Sequence, residues 1–100
     1  MARLSTHVLD TSRGRPAAGV KVHLSGPTNK TVTTDDDGRA LVDENLAPGI
    51  YDLVFAVGSY FGTAKFLDDV VVRFRIAEGE ARYHVPLLVS PYGYTTYRGS

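Results

Sequence analysis

The chain reads as an all-β protein, an antiparallel sandwich. Side-chain polarity alternates with period two along most of its length, turn-forming residues interrupt the alternation at short intervals, and a single short segment, 59–69, breaks the rhythm. Short strands at this spacing have one face to bury, and two sheets packed face to face bury it.

The elements follow in order. Ser5, His7 and Leu9 share one face of a first strand, and Thr6 and Val8 share the other, before a turn at Arg13-Gly14-Arg15-Pro16. Val20, Val22 and Leu24 alternate with Lys21, His23 and Ser25, and Gly26-Pro27-Thr28-Asn29 turns the chain. Asp35-Asp36-Asp37-Gly38 and Ala47-Pro48-Gly49 mark two further turns. Tyr51, Leu53, Phe55 and Val57 alternate with Asp52, Val54, Ala56 and Gly58, and Val70, Val72, Phe74 and Ile76 alternate with Val71, Arg73 and Arg75. Between these runs, Tyr60, Phe61, Ala64 and Leu67 have the spacing of about two helical turns, which predicts a short helix near 59–68. After Glu78-Gly79, the stretches Tyr83–Leu88 and Ser90–Tyr94 read as two strands around a tight turn at Pro91-Tyr92-Gly93.

One hundred residues make a single domain, 1–100, with room for a modest core. Eleven acidic residues balance eleven basic ones, so no global field draws in nucleic acid or an anionic membrane. The absence of cysteine excludes disulfides, thiolate metal sites and a cysteine nucleophile. Arg3, His7 and Asp10 interrupt any signal-peptide core, and no segment approaches the roughly eighteen apolar residues of a membrane span. The expectation is a cytoplasmic protein; a periplasmic one whose leader has been removed would look the same. Leu87, Leu88, Val89, Tyr92, Tyr94 and Tyr97 put apolar bulk on both faces of the last strands, more than so small a domain can cover, which predicts self-association.

Three histidines offer proton chemistry near neutral pH. His23 lies on the polar face of an ordinary amphipathic strand and reads as a surface residue. His7 and His84 could hold zinc, but two histidines without a third protein ligand make a poor closed site, and no metal is expected. Asp35–Asp37 lacks the alternating spacing and late glutamate of a calcium loop and reads as a turn. Asp10 is placed to cap the turn at Thr11-Ser12-Arg13. Arg39 has the default role of an exposed arginine, and Arg98 that of a partner for the chain's own carboxylate. Ser100 is a poor acyl-forming nucleophile, with no Ser-His-Asp order around it. The chain closes on Tyr97-Arg98-Gly99-Ser100 without a polar tail, which reads as an end built into the structure.

Four motifs, in order, carry a family resemblance. They are Leu4–Asp10 with Gly14-Arg15-Pro16-Ala17, Thr34–Arg39, Tyr83–Leu88, and the terminal Tyr97–Ser100. The chain resembles the 5-hydroxyisourate hydrolases, the purine-degrading branch of the transthyretin-like family. The likeness spans the whole chain, although 59–69 is shorter than the family's usual helical connection.

The resemblance implies a transthyretin-like sandwich of two four-stranded sheets. It implies that His7, Arg39, His84 and Ser100 are catalytic, and that His7, Arg39, Tyr97, Arg98, Gly99 and Ser100 contact the substrate. It also implies a homotetramer, a dimer of dimers with its sites at the dimer–dimer interface, needing no cofactor. The implied reaction opens the activated cyclic amide of 5-hydroxyisourate to 2-oxo-4-hydroxy-4-carboxy-5-ureidoimidazoline. Histidine suits the proton transfers, and arginine's planar fork suits a flat heterocycle with paired acceptors. The alternative is a transthyretin-like carrier of small molecules, which has no need of two histidines and an arginine around one site.

Overall fold

The computed structural model describes residues 1–62 and 66–100. Its strands are β1 (Ala2–Asp10), β2 (Arg15–Pro16), β3 (Lys21–Ser25), β4 (Lys30–Thr33), β5 (Arg39–Leu46), β6 (Gly49–Ala56), β7 (Asp69–Ile76), β8 (Arg82–Ser90) and β9 (Gly93–Thr96). One sheet runs β4-β3-β6-β7. The other runs β2-β1-β8-β9, with β5 pairing the same edge of β1 that β2 takes further along, so this sheet is also four strands wide. Among the described residues every pairing is antiparallel except β1 with β8, which run parallel from Arg3 opposite Arg82 to Asp10 opposite Val89.

The inner faces follow the alternation read from the sequence. Val20, Val22, Leu24, Tyr51, Leu53, Phe55 and Val57 are buried between the sheets, and Leu4, Val8, Val42, Leu87 and Val89 meet them from the other side. On β7 only Val70 and Ile76 are buried; Val72 and Phe74 pack at the margin, because β7 is the edge strand of its sheet. The expected helix is shorter and earlier than its spacing suggested. Helix α1 (Val57–Phe61) makes little more than one turn and ends at Gly62, whose φ is +91°. The rest of the expected span includes Ala64, which lies outside the described residues.

Asp10 is the polar anchor of the first turn, as its sequence position suggested. Its carboxylate is fully buried; Oδ1 accepts from the Ser12 backbone and hydroxyl and the Arg13 backbone, and Oδ2 accepts from the Tyr60 hydroxyl at 2.9 Å. Burial pushes its pKa up, but the hydrogen bonds from Ser12, Tyr60 and Arg13 outweigh it, and the net shift is downward. A carboxyl depressed in the folded state contributes stability that is present above its unfolded pKa and is lost as pH falls through the folded value. Asp10→Asn puts an amide donor where donors already point. It should cost about 2–4 kcal/mol in urea unfolding at pH 7, with a smaller difference from wild type below about pH 4. An equal difference at both pH values would show that the charge contributes nothing.

No helix of the described residues is long and apolar enough to cross a membrane.

Candidate active site

The parallel pairing of β1 with β8 is what assembles the site. It sets Ser5 beside His84, while the antiparallel pairing on the other edge of β1 sets His7 beside Arg39. Even-numbered β1 residues, Leu4, Thr6 and Val8 among them, fill the core, so Arg3, Ser5 and His7 stand on the outer face. On β8 the buried set includes Tyr83, Val85 and Leu87, which leaves Arg82 and His84 on that same outer face.

There the side chains border an open cavity of about 500 Å³, lined by Arg3, Ser5, His7, Arg39, His84 and Ser100 with Thr6, Asp35, Ala40 and Leu41. Of the residues the sequence pointed to, it brings His7, Arg39, His84 and Ser100 to one cavity. Gly99 borders a smaller adjoining hollow of about 170 Å³ that shares Arg3, Ser5, His84 and Ser100 with the first. Tyr97 and Arg98 are elsewhere, around a separate, more apolar cavity beside Phe74 and Tyr83. The Arg98 guanidinium lies 4.3 Å from the Tyr83 ring centroid, donates to the Arg82 carbonyl at 3.1 Å and approaches Glu80 at 3.7 Å. Its partners are therefore Tyr83, Arg82 and Glu80, and they pin the segment that leads to Gly99 and Ser100.

Arg39 owes its position to the turn before it. Asp35 Oδ1 accepts from the Asp37 and Arg39 backbones at 2.9 Å, and the Asp35 backbone donates to the Arg39 carbonyl. A carboxylate oxygen spent inside its own turn fits an Asx turn rather than a cation loop. Among the described residues, no three His, Cys, Asp or Glu side chains are grouped to hold a metal ion. His23 lies in the other sheet, where its Nδ1 bonds Thr31 Oγ1 at 2.8 Å.

His84 is half-buried, and its pKa is lowered. Burial is the largest cause, followed by the charges of His7 and Arg39; a main-chain bond to Ser5 opposes them. At neutral pH it is therefore an uncharged imidazole, able to take a proton. The cavity thus combines two imidazoles with a cationic fork, the equipment for delivering water to a carbonyl and holding a flat polar ring.

Sequence reasoning missed Arg3 and Asp35 as cavity residues and took Ser5 only as a neighbour of His7. Parity was the available signal, since Arg3, Ser5 and His7 are all odd-numbered on one strand.

Residues 4–99 match the family model described as the HIUase/Transthyretin family. Over 115 residues the chain is 48% identical to "5-hydroxyisourate hydrolase 2" of Rhizobium meliloti, covering 98% of this chain and 96% of that protein. The structure of Klebsiella pneumoniae 5-hydroxyisourate hydrolase superposes with a TM-score of 0.90 at 37% identity, covering both chains completely. Sea bream transthyretin in complex with thyroxine superposes with a TM-score of 0.85 at 31% identity, over 96% of this chain and 93% of that one.

Proposed function

The chain belongs to the HIUase/Transthyretin family, and from that premise we propose that it hydrolyses 5-hydroxyisourate. The observation that carries the reading is the meeting of His7, Arg39 and His84 in one cavity. A carrier of apolar ligands would need an apolar wall there, and this cavity presents ionisable groups instead, which favours the hydrolase over the carrier.

The reaction adds water to the amide carbonyl of the ring and breaks its carbon–nitrogen bond. The carbon keeps the water's oxygen as a carboxylate, the ring nitrogen gains a proton, and the product is 2-oxo-4-hydroxy-4-carboxy-5-ureidoimidazoline. His7 and His84 divide the proton transfers, and Arg39 holds the heterocycle through paired N–H donors. Ser100 and Gly99 fix the ring's orientation at the far wall; Tyr97 and Arg98 contribute by holding that segment in register. Orientation and placed charge supply the acceleration without a covalent intermediate or a cofactor.

The site is open on one protomer, and the exposed Leu41, Tyr92, Tyr94 and Tyr97 supply apolar surface for association. A homotetramer built as a dimer of dimers would close the cavity with partner surfaces and exclude bulk water.

Adding the protein to freshly generated 5-hydroxyisourate and following its ultraviolet absorbance tests the reading. Decay much faster than in buffer is expected, and decay at the buffer rate would overturn it. Arg39→Lys keeps the charge but loses the fork, so kcat/KM should fall about 10–100-fold. Unchanged kinetics would reduce Arg39 to a distant charge.

A further inference from the structure

The His84 ring is held at both of its inner edges. Its Nδ1 lies 2.9 Å from Ser5 Oγ, across the in-register pair that β1 and β8 form. Its Cδ2 edge faces Gly99, where a Cβ would sit 2.6 Å from Cδ2, 3.3 Å from Cγ and 3.4 Å from the His84 carbonyl oxygen. The Gly99 backbone N–H donates to that same carbonyl at 2.7 Å. Nδ1 and Cδ2 are the two ring atoms bonded to Cγ, so this clamp leaves the Cε1–Nε2 end toward the cavity that His84 lines.

From this geometry we infer that Ser5 is a positioning residue that fixes His84 as the Nδ1–H tautomer, so that the Nε2 lone pair faces the substrate as the general base. Ser5 offers acceptors to the ring. The Ser5 main chain acts on the imidazole in the direction that favours its protonated form, the direction of an acceptor at the ring N–H. With Nδ1–H donated to Ser5, Nε2 of the neutral ring is free to accept. The inference rests on the hydrolase reading for the step itself. Nε2 takes a proton from water as the oxygen bonds the carbonyl carbon, and the resulting imidazolium returns a proton as the carbon–nitrogen bond breaks.

Histidine-ring ¹H–¹⁵N correlation spectra of the ¹⁵N-labelled protein, taken above the imidazole titration, read the tautomer directly, with His84→Asn assigning the signals. Wild type should show the Nδ1–H pattern for residue 84. Ser5→Ala should turn it into a mixed pattern and lower kcat about tenfold with KM within about twofold, the equivalent of about one hydrogen bond. Ser5→Thr keeps the hydroxyl and should restore both the pattern and most of kcat. An Nε2–H pattern in wild type overturns the inference, as does a Ser5→Ala protein with unchanged pattern and rate. The wild-type spectrum, once assigned, needs no substrate, so it decides the tautomer separately from whether 5-hydroxyisourate is hydrolysed.

Discussion

His84→Asn lowers turnover of 5-hydroxyisourate by about two to four decades, the usual contribution of one acid–base group, and His7→Asn does the same. Both side chains stand on the outer face of the sheet, away from the core, so neither change opens a cavity inside the fold. Unfolding midpoints within about 8 °C of wild type are expected, since both rings are part-buried and His84 gives up about one hydrogen bond, to Ser5. His23→Asn, in the other sheet, is the control and should leave turnover unchanged. Wild-type turnover in either His7→Asn or His84→Asn would remove that residue from the mechanism.

The pH profile adds a sign. The groups around His84 are His7 and Arg3 on β1, Arg39 on β5 with Asp35 in the turn before it, and Arg82 on its own strand. Burial first, then the His7 and Arg39 charges, hold His84 below the ordinary 6.5 of histidine. The acidic limb of kcat/KM should therefore lie below 6.5, and the residual activity of His7→Asn should show that limb moved upward. Stability carries the same sign. The unfolded chain protonates His84 more readily than the folded one, so this contribution is full above 6.5 and declines as pH falls toward the folded value. A limb at or above 6.5 in wild type would separate His84 from the rate.

Much of this fold was legible because period-two alternation is local. Whether Leu24 or His23 faces the core is decided by adjacent residues, and the inner face of β6 follows the same rule. The pairing of β1 with β8 is different, since it joins residues 79 apart, as in Ser5 with His84, and no local pattern announces a parallel partner. The four motifs brought His7, Arg39 and His84 together by resemblance, whereas the clamp on His84 needed that pairing to become visible. The helix was overestimated because the apolar spacing of Tyr60, Phe61 and Leu67 serves another purpose. Tyr60 reaches the buried Asp10, and all three pack against the core, Tyr60 and Phe61 from α1 and Leu67 from beyond its end. Arg98 shows the opposite limit. Its bond to the Arg82 carbonyl spans 16 positions, and the Tyr83 ring it covers follows directly on β8, so neither partner is a neighbour in sequence.

Gly38→Ala should be the most damaging single-methyl change near the site. Gly38 has a φ of +74°, a conformation that costs an alanine about 1–2 kcal/mol. Space is a second and separate obstacle: a Cβ would lie 2.5 Å from the Val8 carbonyl oxygen and 3.0 Å from Pro16 Cβ. The neighbour at fault is backbone, which cannot swing aside as a flexible side-chain tip can. The Val8 N–H also donates to the Gly38 carbonyl at 2.7 Å, so relieving the clash strains the bond that ties the start of β5 to β1. Strain and overpacking together should cost about 3 kcal/mol and lower Tm by about 12–20 °C. Gly14 is the control, because its φ is +66° with nothing within 4 Å of an added methyl, so Gly14→Ala meets the conformational cost alone. Arg39 follows Gly38 directly and faces His7 across that same pairing, so any shift there moves the cationic fork relative to the imidazole. Gly38→Ala should consequently lose kcat/KM about 10–100-fold even at temperatures where it is fully folded, a loss Gly14→Ala should not share. Equal Tm values for the two variants would show that the Val8 contact yields freely, and that β5 is held in register by something other than this close approach.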